Sequence, residues 1–217
     1  MQVKRLLKKD LFGEVWKTHT GGETLILRDS RPAPWWVAWL ARRLLRREAR
    51  ALAALTGIDG VPRCFTSGRT QLERSFIAGV PMCEGRPQDP RYFKAAAQLL
   101  RRLHRANVVH NDLAKEPNIL VQNDGAPAFI DFQLAWHAPG RNRLFRIAAR
   151  EDIRHLLKHK RTYCPDRLTA RERAILASPS PLARAWMRFA KPVYLLVTRR
   201  ILGWSDREGA ADRGHRE

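Results

Sequence analysis

The 217-residue chain has few cysteines, few acids and no long apolar run. Its three cysteines, Cys64, Cys83 and Cys164, stand far apart and form no CxxC pair. That spacing argues against a disulfide framework and a zinc site, and it reads as a reducing compartment. The longest apolar run, Trp35 to Ala41, is far short of the ~20 residues that cross a bilayer. The basic start, Met1 to Asp10, lacks the apolar stretch of a signal peptide. The expected location is cytoplasmic, with a peripheral place on a membrane left open. Acids are outnumbered, 21 Asp+Glu against 41 Lys+Arg, for a net charge of +20. Such an excess says little about fold but implies attraction to a polyanion: nucleic acid, an anionic membrane or a phosphate-rich substrate. No repeat or low-complexity tract is present. A 44% share of hydrophobic residues suffices for one sizeable core, or two small lobes sharing a cleft.

The first third reads as strands. Val3 to Leu7 and Glu14 to Thr18 flank a turn at Phe12-Gly13, and Thr20-Gly21-Gly22 signals a hairpin before Thr24 to Arg28. After the break at Arg31-Pro32-Ala33-Pro34, Trp35 to Leu55 reads as a helix. Leu40, Leu44, Ala51, Leu52 and Leu55 lie on one side of it, and Arg42, Arg43, Arg46, Arg47 and Arg50 on much of the other. Short strands follow near Cys64–Ser67 and Leu72–Ile77, and Ala78-Gly79-Val80-Pro81 reads as a linker. The next helix, Arg91 to Arg105, carries the apolar stripe Phe93, Ala96, Leu99, Leu100 and Leu103, with Arg101, Arg102 and Arg105 outward. Ile119 to Val121 and Ala128 to Ile130 form a second hairpin across Asn123-Asp124-Gly125. Helices are expected at about 150–160, 169–177 and 182–202, the last broken near Pro192, with a polar tail from Ser205.

The chemistry concentrates in Val109-His110-Asn111-Asp112-Leu113-Ala114-Lys115-Glu116-Pro117-Asn118 and in Phe129-Ile130-Asp131-Phe132. Asp112, Asn118 and Asp131 sit at the ends of short apolar strands that can aim them into one cleft. Two carboxylates and an amide oxygen form a hard-oxygen site suited to Mg²⁺ and phosphates. Asp and Asn are also common turn residues, which is the bland alternative.

These residues resemble the protein-kinase-like fold in its small bacterial atypical branch, the RIO-type kinases and the lipopolysaccharide-core sugar kinases. His110-Asn111-Asp112-Leu113 is similar to the His-x-Asp-Leu catalytic loop, and Asp131-Phe132-Gln133 to the Asp-Phe-Gly metal motif. The resemblance implies a two-lobed α+β fold: a β-rich nucleotide-binding lobe over residues 1–80, a reduced helical catalytic lobe over 81–204 and a tail over 205–217. It implies ATP and Mg²⁺, with Asp112 orienting the acceptor hydroxyl or taking its proton, and Asn118 and Asp131 holding the metal. His110 would be a packing residue. Phe12-Gly13-Glu14-Val15 resembles the end of a glycine-rich loop, which places Phe12, Gly13 and Val15 at the nucleotide, although a single glycine also suits an ordinary turn. Arg28 stands where kinases carry their phosphate-binding lysine. Glu48, on the apolar stripe of the Arg-rich helix, needs a cation if it is buried; the kinase pattern supplies Arg28, and a solvated Glu48 is the alternative. Lys115 either reaches the terminal phosphate or is solvated. Asp152 either ties down the catalytic loop or serves as a helix-start acid.

Departures from the pattern are visible. Asn118 follows Asp112 by six positions instead of five, so the loop must bulge. Arg28 is not equivalent to a lysine at a tight phosphate. Gln133 replaces a glycine, and no Ala-Pro-Glu element follows, which argues against control by activation-loop phosphorylation. The function expected is transfer of the ATP γ-phosphoryl group to a hydroxyl, on a lipopolysaccharide core sugar at the inner membrane surface. The alternatives are a RIO-like protein serine/threonine kinase and, from another class, a membrane-associated pseudokinase acting as scaffold or regulator. Trp35, Trp36 and Trp39 beside the Arg-rich helix, with Trp186, Phe189, Tyr194 and Trp204 in a basic C-terminal region, suit an anionic membrane surface. Nucleic acid is a weaker partner, since no aromatic RNP sequence or GXXG clamp is present.

Overall fold

The structure, a computed structural model, describes residues 4–178. The chain divides into two compact units, Met1–Ala177 and Ser178–Glu217, and the first is the one described here. The helix expected over 182–202, with Trp186, Phe189, Tyr194 and Trp204, and the tail from Ser205 lie outside the described residues.

The first strands are β1 (Lys4–Asp10), β2 (Gly13–Thr20) and β3 (Glu23–Asp29). Gly21 and Gly22 close the β2–β3 hairpin at φ of 60° and 81°, the positive pair that a two-residue turn matched to strand twist requires. Helix α1 (Ala38–Ala54) crosses to β4 (Cys64–Ser67) and β5 (Gln71–Ser75), and the strands form one antiparallel sheet in the order β1-β2-β3-β5-β4. α1 starts three residues later than its periodicity suggested, and its buried stripe is Ala41, Leu45, Glu48, Ala51 and Leu52. Leu40 and Leu44 are only half-buried. Leu44 and Leu45 both lie within one turn of Glu48, and the face that packs inward is the one that carries Leu45.

Next come β6 (Val80–Pro81), α2 (Met82–Gly85) and α3 (Pro90–Arg105). Asp89 caps α3 by accepting the Arg91 N–H, and Pro90 takes the first helical position, where no N–H is needed. The expected stripe Phe93, Ala96, Leu99, Leu100 and Leu103 is buried. Strands β7 (Val108–Val109), β8 (Ile119–Val121), β9 (Pro127–Phe129) and β10 (Trp136–His137) follow. β6, β8 and β9 make a small sheet, and β7 pairs with β10. The stretch expected as a linker is therefore partly ordered: Val80 and Pro81 pair with Val121 and Leu120. Two-residue strands carry too little alternation to be seen in a sequence. Helices α4 (Arg143–Tyr163) and α5 (Ala170–Ala177) complete the described unit. A single apolar cluster runs from Leu52 and Leu72 through Leu99 and Leu103 to Phe129 and Phe132, so sheet and helices share one core.

That core predicts a contrast between two chemically identical truncations. Leu103→Ala, at a fully buried site on α3, should cost about 2–5 kcal/mol. Leu144→Ala, at an exposed site on α4, should stay within about 0.5 kcal/mol. Urea denaturation of both variants checks this.

Candidate active site

Strand alternation turns Arg28 on β3 and Arg74 on β5 to the face that meets α1, where Glu48 waits with no solvent exposure. Arg28 Nη1 donates to Glu48 Oε2 at 3.0 Å and to Asp131 Oδ1 at 3.1 Å. Arg74 Nε lies 3.1 Å from Glu48 Oε1, close in charge but outside hydrogen-bond geometry. Glu48 is thus paired, and the solvated alternative is excluded. Burial opposes the Arg28 charge, yet Glu48 and Asp131 outweigh it and raise its pKa. Burial likewise pushes Asp131 up, but Arg28 and Arg74 prevail and hold its carboxyl below the usual aspartate value. Arg74 was not anticipated. The available signal was its position two residues from Leu72, on the buried side of the strand.

The catalytic-type loop is pinned from below. Asp152, in the middle of α4, accepts the His110 N–H at 2.7 Å and the Asn111 N–H at 2.9 Å. It is therefore the tie under the loop and not a helix-start acid. Asn111 has φ of 63°, and its side chain donates to the Leu134 carbonyl at 3.0 Å. His110 is buried: Nε2 donates to the Ile130 carbonyl and Nδ1 accepts the Asp112 N–H, so its one ring N–H and its ring lone pair are both committed to backbone hydrogen bonds. Burial lowers its pKa despite nearby Asp152.

The extra residue between Asp112 and Asn118 is absorbed by two successive turns, Lys115 N–H to Asp112 O and Asn118 N–H to Lys115 O. Asn118 then donates its amide nitrogen to both the backbone oxygen and Oδ2 of Asp112, each at 2.9 Å. Both partners are acceptors, so the nitrogen must point there and the amide oxygen is the atom left for a ligand. Lys115 Nζ sits 3.2 Å from Asp112 Oδ2, with its side chain 60% exposed. Below, Glu116 accepts the Tyr163 hydroxyl at 2.6 Å and His159 donates to the Leu113 carbonyl at 2.8 Å, further anchors that the sequence did not disclose.

Asp131 has φ of 62° and immediately precedes a short 3₁₀ turn, Phe132–Leu134. Its side chain is one-third exposed, and Arg28 engages Oδ1. The Asp131 carboxylate and the Asn118 amide oxygen are hard donors of the kind Mg²⁺ takes when it keeps waters and binds phosphates. Among the described residues no group of three or more His, Cys, Asp or Glu could hold a metal ion.

Phe12, Gly13, Val15 and Arg28 line one crevice with Gln133. Gly13 has φ of 128°, and a Cβ there would run into the Asp29 carbonyl oxygen, so the single surviving glycine is sterically required. The β1–β2 turn is tight, with Asp10 opposite Gly13, and the crevice closes to about 10 Å³. A separate concavity of about 910 Å³ lies between α3 and the β8–β9 turn and touches none of these residues.

Residues 36–173 match the family model described as the RIO domain. The match spans more than half of the chain, which therefore belongs to the RIO-domain family and is an ATP-dependent kinase of the atypical protein-kinase-like class. ATP and Mg²⁺ are the general requirements of such a domain. Glu48, Asp112, Lys115, Asn118 and Asp131 fall inside the match, whereas Phe12, Gly13, Val15 and Arg28 precede it. None of the curated proteins compared with the chain matches it.

Two histidines set a pH dependence. Burial lowers the pKa of His110, and it takes His155 to about 4, well under the ordinary histidine value of 6.5. The unfolded chain therefore binds protons first, and stability should be full above pH 6.5 and fall as pH drops towards 4. Thermal melts at pH 7.5, 6 and 5 should show that decline, and His155→Gln should flatten part of it. A melting temperature constant across this range would contradict the assignment.

Proposed function

We propose that this RIO-domain kinase moves the γ-phosphoryl group of ATP to a hydroxyl on an anionic glycolipid, a lipopolysaccharide core sugar, at the inner membrane surface. The observation that carries the chemical half is the fixed Asp112 side chain. Asn118 and Lys115 hold Oδ2, and Asp152 holds the backbone on which Asp112 sits. Its Oδ1 is the oxygen that orients the acceptor hydroxyl and takes its proton. Lys115, three-fifths exposed beside it, faces the transferring phosphoryl group. Asn118 and Asp131 offer oxygen to Mg²⁺, which when bound neutralises phosphate charge. Arg28, held by Glu48, stands in for the usual lysine, while Phe12, Gly13 and Val15 cover the nucleotide. The β1–β2 turn has to lift for entry, and β1 is exposed along Lys4–Lys9. Catalysis comes from positioning and charge neutralisation. We assign the nucleotide lobe to residues 1–80 and the catalytic lobe to 81–204.

The membrane half rests on the surface. Trp35 and Trp36, in the turn before α1, and Trp39, in its first turn, are 88%, 45% and 63% exposed, directly before its arginines. Exposed tryptophans cost free energy in water and are favoured at a headgroup boundary, where adjacent arginines meet anionic lipid. A cytoplasmic chain resting on the inner leaflet fits both. The family match itself favours a second reading, a protein serine/threonine acceptor. The closed crevice and Arg28 in the lysine position favour a third, a pseudokinase scaffold.

Incubation of γ-labelled ATP and Mg²⁺ with a membrane-plus-cytosol extract separates the three. Label should enter the glycolipid fraction, and folded Asp112→Asn should lower the rate by about 10²–10⁴-fold. Label in protein would favour the second reading, and no label from a protein that binds Mg-ATP the third. Normal turnover by Asp112→Asn would remove Asp112 from the chemistry.

A further inference from the structure

Four arginines of α1, Arg43, Arg46, Arg47 and Arg50, wall a concave pocket of about 560 Å³ whose opposite side is Ala135, Trp136 and His137. No carboxylate lines it, and none of the four makes an ion pair among the described residues. They stand three and four residues apart, the spacing at which like charges on a helix repel. Arg47 is the innermost. It donates to the carbonyls of Leu134 at 2.9 Å and Ala135 at 3.2 Å, which fixes the pocket to the segment that follows Asp131. Burial and the Arg43 cation lower its pKa, so a further positive neighbour is already unwelcome there. Leu134 also accepts from Asn111, the residue next to Asp112, so the pocket and the catalytic loop share one backbone carbonyl.

Such a cluster is destabilising unless an anion relieves it. The chain's own segment cannot supply a phosphate: Asp131 to Arg143 contains no serine, threonine or tyrosine. We propose that this pocket is the acceptor subsite and binds a phosphate monoester or carboxylate already present on the sugar substrate. The guanidinium forks match either anion, and the half-buried Trp136 ring offers an apolar face to the sugar's C–H surface. Trp39 lies one turn before Arg43 on the same side of α1, so a lipid-anchored headgroup could reach the pocket from the tryptophan end. This assignment rests on the glycolipid-kinase reading for its substrate class, but its test reads binding and not transfer.

Titration calorimetry of the full chain with glucose 6-phosphate, glucuronate and glucose provides that test. Glucose 6-phosphate should bind and glucose should not. The double variant Arg43→Gln/Arg50→Gln should weaken binding by at least about tenfold. Arg46→Gln should weaken it independently. The equally discharged Arg171→Gln/Arg173→Gln, altered on exposed positions of α5, should stay within about twofold of the parent. Glucuronate binding with the same arginine dependence supports the pocket with a carboxylate as the recognised group. Equal weakening in both double variants would show attraction to net charge alone and overturn the proposal, as would binding of neither anion. A uridine octamer that excludes the sugar phosphate and needs the same arginines would reassign the pocket to nucleic acid. Failure of label transfer with intact anion binding would instead fault the kinase reading and leave the pocket standing.

Discussion

A carboxylate with no solvent exposure, Glu48, holds the nucleotide end of this molecule together. Taking it and two guanidiniums out of water costs several kcal/mol per ion, and only mutual attraction offsets that. Arg28 and Arg74 reach it from neighbouring strands, and Arg28 continues to Asp131 in the other half of the unit. The pairing therefore fixes α1 against the sheet and the metal-type loop against both. A buried ionic network of this kind is a weak source of stability and a strong source of geometry: each partner has few positions that leave no charge alone.

The same economy appears around the catalytic loop. Asp152 spends both oxygens on backbone N–H groups, Asn118 spends its nitrogen on Asp112, and His110 spends its ring on packing and one carbonyl. What these bonds leave over is an oxygen of Asp112, the amide oxygen of Asn118 and a face of the Asp131 carboxylate, the atoms on which the proposed phosphoryl transfer relies. Surface charge follows the opposite rule. Among the described residues the arginines of α1 have no acid partners, so a share of the positive charge is gathered where an anionic partner can meet it.

Much of this was legible in the sequence because strong constraints leave strong patterns. The α3 stripe is spaced at helical period, and Asp112 and Asp131 follow apolar strands. A carboxylate at position 48 on an apolar stripe demanded a cation, and the structure supplies Arg28. The less legible parts are those set by tertiary contact. The burial of α1 is rotated by one residue, from Leu44 to Leu45: both lie within one turn of Glu48, and only packing in the folded unit decides between them. Arg74 looks like any strand arginine until α1 covers it. The strands Val80–Pro81 and Trp136–His137 are too short to alternate, and the tie from Asp152, which the family resemblance offered beside a helix-start alternative, spans about forty residues that no local pattern could decide.

The most direct measurement is the Mg-ATP affinity of folded Glu48→Gln by calorimetry. Glu48 has no solvent exposure and cannot touch a nucleotide itself, so an effect on binding is transmitted by its partners Arg28 and Arg74, the first of which reaches Asp131. Loss of the pairing should weaken Mg-ATP binding by at least about tenfold, the equivalent of roughly 1.4 kcal/mol. Unchanged affinity in a variant that keeps its fold would show that the buried ion network does not position the nucleotide site.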